Sequence, residues 1–193
     1  MPDGPRYLRN PDWGMAGTFG GTSMDVILGP TAAKSVNYGS KTSAKSIPSL
    51  MRPLHDRDPD RWVAGHLLND NLGGDGEWTR NLTPLTKTAN RNHATHENRI
   101  KNACEYADLF HRGHPRHGYW YGVHYWVNVA NISFGDFSPY SKVPSHITIN
   151  ARMVRMDKNT GHMAYIHATD PDYGVMHFTN ITALDIHNDD SHL

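Results

Sequence analysis

The run Gly65-His66-Leu67-Leu68-Asn69-Asp70-Asn71-Leu72-Gly73-Gly74 decides how this chain is read. A strand expected over residues 61–67 ends close to a histidine. Gly73-Gly74-Asp75-Gly76 then supplies a turn in which glycine reaches positive φ at least steric cost. Asn81-Leu82-Thr83-Pro84-Leu85-Thr86 follows, and Thr86 or Thr88 caps a helix expected over residues 87–110. Asn90, His93 and Glu97 are spaced three, four and seven residues apart, so they share one face of that helix. A neutral imidazole titrates near ~6.5, so His66 is suited to draw a proton from water without any unusual environment. Asn and carboxylate oxygens on the helix are suited to hold a divalent ion, which acts as a Lewis acid beside a leaving oxygen.

Gly65-His66, the glycine loop, Asn81-Leu82-Thr83-Pro84 and Asn90, in that order, resemble the His-Me finger (ββα-metal) nucleases, and within them the DNA/RNA non-specific endonucleases. Gly21-Thr22-Ser23-Met24 and Leu28-Gly29-Pro30 extend the likeness to a bacterial toxin or effector-type subgroup, so that it runs from about Thr18 to about Lys101. The resemblance implies His66 as general base and Asn90 as metal ligand, with Glu97 and His93 on the same face. It implies a divalent metal, Mg²⁺ first with Mn²⁺ or Zn²⁺ as alternatives, and DNA or RNA as substrate. Asn81 and Asn69 are expected behind the site, Asn81 crosslinking the loop through its amide so that His66 stays in register. The chain departs from the better-known members at Val63-Ala64, where they carry Asp-Arg. Phosphate is therefore expected to fall to Arg61, Arg80, Lys87 or Arg91.

Composition sets the limits. With 193 residues the chain is expected to form one domain, residues 1–193, around one core. Lys plus Arg equals Asp plus Glu at 19 each, so no global basic field points to nucleic acid. The stretch from Arg80 to Lys101 is nevertheless locally basic, with Glu97 as its lone acid. The 14 histidines are expected to add positive charge below about pH 6 and tighten anion binding. A single cysteine, Cys104, excludes an internal disulfide and a Cys-based zinc site, and on a packed helix it reads as a small buried hydrophobe. No apolar run approaches the ~18 residues of a membrane span, and the N-terminus lacks the apolar core of a signal peptide. The expectation is a soluble chain, cytoplasmic or delivered by a secretion system, with an immunity or chaperone protein as a further partner and no membrane.

The expected fold is α+β, a ββα-metal finger (strand, Gly-rich loop, long helix) packed on an antiparallel sheet. Residues 1–21 read as an irregular arm, 22–111 as the finger region and 119–180 as the C-terminal sheet. Within these, residues 22–28 alternate as a strand, 31–49 form an unpatterned loop, and 48–54 make one helical turn. Residues 119–133 and 147–157 alternate as strands, the second with a bulge midway, and a hairpin turn at 157–161 leads to a return strand. A last short strand is expected at 175–178. Tyr119, Trp120, Tyr121, Tyr125 and Trp126 divide between core packing and stacking on bases. Two other functions fit the same residues: a metal-independent histidine ribonuclease, and a non-catalytic protein that keeps the finger as a binding scaffold.

Overall fold

A computed structural model of the chain describes residues 4–17, 20–34, 39–42, 52–130 and 143–189. In chain order, β1 (Tyr7–Trp13), β2 (Ala16–Gly17), β3 (Gly20–Gly21) and β4 (Ser23–Leu28) precede a short helix α1 (Arg52–Arg57). Next come β5 (Trp62–His66), β6 (Leu82–Thr86) and the long helix α2 (Lys87–Gly113). β7 (Tyr119–Ala130), β8 (His146–Asp157), β9 (Met163–Tyr165) and β10 (Ile181–His187) follow. The architecture is α+β. The main sheet has the order β1-β4-β7-β8-β10 with β9 beside β8, and its strand pairs are antiparallel. β5 and β6 form a separate antiparallel hairpin whose second strand runs straight into α2.

The centre of the sheet follows from side-chain alternation. On β7, Tyr121, Val123, Tyr125 and Val127 are fully buried and face α2, which covers them with Ala89, Ile100, Ala103, Cys104 and Ala107. Ile147, Ile149, Ala151 and Met153 of β8 extend that surface. Cys104 is buried, and burial pushes its thiol up to about 12. α2 starts where Thr86 Oγ1 accepts the Ala89 N–H at 3.1 Å, as a capping threonine should. It runs to Gly113, one turn beyond the expected end.

Several expectations need correction. The segment assigned to an irregular arm contains β1, an edge strand antiparallel to β4. Its alternation is hidden because Asn10-Pro11 interrupts it and the pairing slips on either side of Arg9, a pattern an edge strand tolerates. The pairing of β7 with β8 is unbroken from Tyr119↔Asp157 to Ala130↔His146, so no bulge lies there. The apparent slip in β8 arises because Val154 and Asn150 are buried on the face away from α2. The irregularity falls instead in β10, where Ile181 pairs with Ala151 and Leu184 with Ile149, and Ala183 takes a positive φ of 44°. Residues 175–178 form no strand; the last strand is β10, beyond the expected end of the sheet at residue 180. Part of the expected turn at 48–54 and the end of the strand at 119–133 lie outside the described residues.

Candidate active site

His66 is the last residue of β5 and pairs with Leu82 at the loop end of the hairpin. It is half-buried. Its Nε2 lies 3.2 Å from the carbonyl oxygen of Ser40, and because a carbonyl only accepts, Nε2 carries the hydrogen. The neutral ring then presents an unprotonated Nδ1. Burial lowers the His66 pKa, opposed by the Ser40 bond and by the carboxylates of Asp70 and Asp75. The ring is therefore in its basic form at neutral pH.

Ser40 belongs to the stretch that looked like an unpatterned loop, and it is firmly held. Its N–H donates to Gly74 O at 3.1 Å, its Oγ donates to Asp75 Oδ1 at 2.6 Å, and the Gly76 N–H donates to that Oγ at 2.8 Å. The Ser40 bond, followed by the Glu77 N–H, holds the Asp75 carboxyl below its ordinary range. A Cβ on the preceding Gly39 would collide with the carbonyls of Gly74 and Asp70, so glycine there is what lets the two segments meet. Nothing periodic in residues 31–49 marks this contact; the glycine beside the serine is the one local signal.

Asn81 is buried and closes the loop between the hairpin strands. Its Oδ1 accepts the Leu68 N–H at 2.8 Å, and its Nδ2 donates to Leu68 O at 3.1 Å and Asp75 O at 3.0 Å. Asn69 caps the short turn over Asp70–Leu72, its Oδ1 accepting the Asn71 N–H at 2.9 Å. Its own N–H donates to Glu97 Oε1 at 2.9 Å, which ties the loop to α2.

The three polar residues of α2 do not behave alike. Asn90 is half-buried, and its Oδ1 faces Gly65, the residue before His66. A Cβ on Gly65 would lie 3.0 Å from that oxygen and 2.5 Å from Leu85 Cδ1, so the helix approaches the strand only because the residue is glycine. The Asn90 side chain makes no hydrogen bond among the described residues. His93, expected beside Asn90 on one helix face, is 1% exposed. Its Nε2 is 2.5 Å from Tyr125 Oη on β7, and the ring also bonds the backbone of His66. Glu97 is 4% exposed, with Oε1 4.0 Å from His93 Nε2. Burial drives the His93 pKa down to about 3 and the Glu97 pKa up to about 8, so both groups are neutral at pH 7.

These residues constrain what ion would fit. Among the described residues no group of three His, Cys, Asp or Glu side chains converges as a metal cage. His93 and Glu97 are sealed and already bonded, so the pair does not offer an open coordination face. What remains is the amide oxygen of Asn90. That donor suits a hard cation that keeps most of its shell as water and phosphate oxygens, not a zinc site of three or four side-chain ligands.

The candidate phosphate cations are less concentrated. Arg91 is exposed and follows Asn90 on α2. Arg80 is exposed and lies 5.9 Å from the ring of Trp78, itself edge-on to Trp13. Arg61 rests 5.2 Å from the Trp62 ring, and Lys87 is paired with Asp60 at 3.4 Å. The structure thus joins His66, Asn69, Asn81, Asn90, His93 and Glu97 through one hairpin, loop and helix, whereas Arg80, Arg61 and Lys87 sit on separate partners and Arg91 lies exposed on α2.

No protein-family model and no curated protein matches the chain. Among solved structures, the structure of Sda1 nuclease with bound zinc ion is similar over 75% of this chain and 70% of that chain, with a TM-score of 0.47 and 14% identity. A likeness of that degree carries no argument about the chemistry, which rests on the residues above.

Proposed function

We propose that this chain is a divalent-metal-assisted endonuclease of the His-Me finger type, hydrolysing phosphodiester bonds of DNA or RNA. The observation that carries the reading is the pairing of a strand-end histidine, fixed through Nε2 on the Ser40 carbonyl, with a helix amide oxygen that faces the adjacent Gly65. In this reading β5, β6 and α2 are the ββα finger. His66 Nδ1 takes a proton from water, the water oxygen bonds to phosphorus, and the bond from phosphorus to the leaving ester oxygen breaks. Asn90 would hold a divalent ion, Mg²⁺ in our reading, which supplies positive charge at that leaving oxygen. His93 and Glu97 serve as positioning groups, His93 bracing the end of β5 and Glu97 holding the Asn69 N–H. Arg91 and Arg80 are proposed to meet phosphate. Groups that address phosphate rather than base edges support low sequence specificity. The toxin or effector role, with an immunity or chaperone protein as partner, is supported by the sequence resemblance alone.

The test is degradation of plasmid DNA and of RNA with Mg²⁺, Mn²⁺ or Zn²⁺, beside the same reactions in EDTA. Wild type is expected to cut only with metal. His66→Ala is expected to be slower by about a hundred- to ten-thousand-fold while still folded. Full activity in that variant ends the reading, and activity that survives EDTA replaces it with a metal-independent hydrolase.

A further inference from the structure

The face of the main sheet turned away from α2 carries an arrangement that the proposed cleavage does not use. Alternation along β7 sends Tyr125 to the helix and its neighbours His124 and Trp126 to the opposite side. There His124 is held at both ring nitrogens, Nε2 at 2.9 Å from Asp25 Oδ1 and Nδ1 at 2.7 Å from Tyr165 Oη. The phenol donates to Nδ1 while Nε2–H donates to the carboxylate, so the neutral ring satisfies both. This chain of three fixes the Tyr165 ring nearly parallel to the imidazole, 17° apart with centroids 5.8 Å distant. Tyr165 is nevertheless 40% exposed.

Charge on this face is uneven in an informative way. Arg9 is neutralised by Asp25. Arg152 lies 5.6 Å from the Tyr165 ring and 5.9 Å from the Trp126 ring, and it has no carboxylate partner among the described residues. A cleft of about 180 Å³ opens beside Arg9, His124 and Tyr165. An arginine stem laid over a sheet would give cover alone. It does not call for an exposed aromatic ring whose orientation is fixed by a half-buried histidine, nor for a guanidinium without a carboxylate partner among the described residues. Cation plus ordered aromatic rings is the combination that binds unpaired nucleotides, phosphate on the cation and base on the ring.

We propose that this face binds a segment of single-stranded nucleic acid, a phosphate on Arg152 and a base stacked on Tyr165 and Trp126. A duplex keeps its bases stacked on one another and is a poor ligand here. The site lies across the sheet from His66 and needs neither that residue nor an ion, so it stands or falls apart from the cleavage reading.

The experiment uses the full chain carrying His66→Ala, in EDTA, with a fluorescently labelled short oligothymidylate followed by anisotropy at low salt. Saturable binding is expected, tighter than to a duplex of the same length. Arg152→Gln and Tyr165→Leu are each expected to weaken it by about tenfold, with unchanged circular dichroism. Both substitutions fall on side chains with solvent access; should Tyr165→Leu lose its fold, Arg152→Gln decides. Absence of saturable binding overturns the proposal, as does an affinity that Arg152→Gln leaves unchanged. Competition by inorganic tripolyphosphate as effective as that by unlabelled oligothymidylate also overturns it, because a bare cation would then account for the binding.

Discussion

A backbone carbonyl cannot be removed by substitution, but the clamp that aims it can. Ser40 Oγ is both donor to Asp75 and acceptor from Gly76, and those two bonds hold the carbonyl against His66 Nε2. Ser40→Ala removes both while leaving the peptide in place. Outer groups that orient a catalytic imidazole are worth roughly ten- to a hundred-fold in activity. The expectation is a kcat lowered by about that factor, with KM little changed because no phosphate contact is lost. Steady-state kinetics on one oligonucleotide substrate checks it, and an unaltered kcat would mean that the Ser40 bond does not orient the ring. The positions of His66, Asn81 and Asn90 could be read from the sequence because strand end, glycine turn and helix start are local signals. Ser40 could not, since it lies 26 residues from His66 in a stretch without period. Spacing also placed Asn90, His93 and Glu97 on one face of α2 without telling how that face is turned. Packing of α2 on Tyr125 and Asn69 buries the lower two and leaves the first at the opening.

At the scale of elements, the hairpin that carries His66 is fastened to the main sheet by a residue beyond the expected end of that sheet. Asn188 follows β10 and is buried; its Oδ1 accepts the Thr86 N–H at 2.7 Å, and its Nδ2 donates to Pro84 O at 3.0 Å and Pro144 O at 2.9 Å. Thr86 is in turn the N-cap of α2. One amide thus serves β6, the start of α2 and the segment entering β8. Asn188→Ala leaves a buried N–H and two buried carbonyls without a partner, each costing about 1–3 kcal/mol before relaxation or entry of water. A loss of roughly 2–4 kcal/mol is expected, read as a lower denaturation midpoint with an unchanged urea slope. A loss no greater than that of an exposed asparagine substitution would show that water replaces the amide. β10 itself was illegible for a related reason. Its alternation is broken by the bulge at Ala183, whose N–H finds Asn150 Oδ1 instead of a ladder partner, so the strand shows no clean period of two. The strands β4 and β8, each in unbroken register with β7, were found at nearly their true limits, as was the start of β7.

For the molecule as a whole, the histidine count has a different meaning once burial is known. The composition suggested added positive charge below about pH 6 and tighter anion binding. Yet His66, His93, His96, His111 and His124 all have pKa values displaced downward, each with burial as the first cause. Such a group resists protonation in the native state and accepts it freely once unfolded. Its contribution to stability is complete above the unfolded value near 6.5 and is lost as pH falls toward the folded one, about 3 for His93 and about 4 for His111. Glu97 acts in the opposite sense: its pKa is raised to about 8, so its contribution is complete below 4.5 and is lost as pH rises through about 8. Asp75, lowered by its Ser40 and Glu77 bonds, joins the histidines in losing stability toward acid. The sum predicts a stability maximum in the neutral range with the steeper fall on the acid side, on the order of several kcal/mol by about pH 4. Thermal melts followed by circular dichroism at matched ionic strength between about pH 4 and 9 test this. A melting temperature level down to about pH 4 would falsify it, because the buried imidazoles would then be charging without opening the fold. Protonation of these five side chains is therefore coupled to loss of structure, and any acid-enhanced binding of nucleic acid has to come from the exposed histidines before that loss sets in.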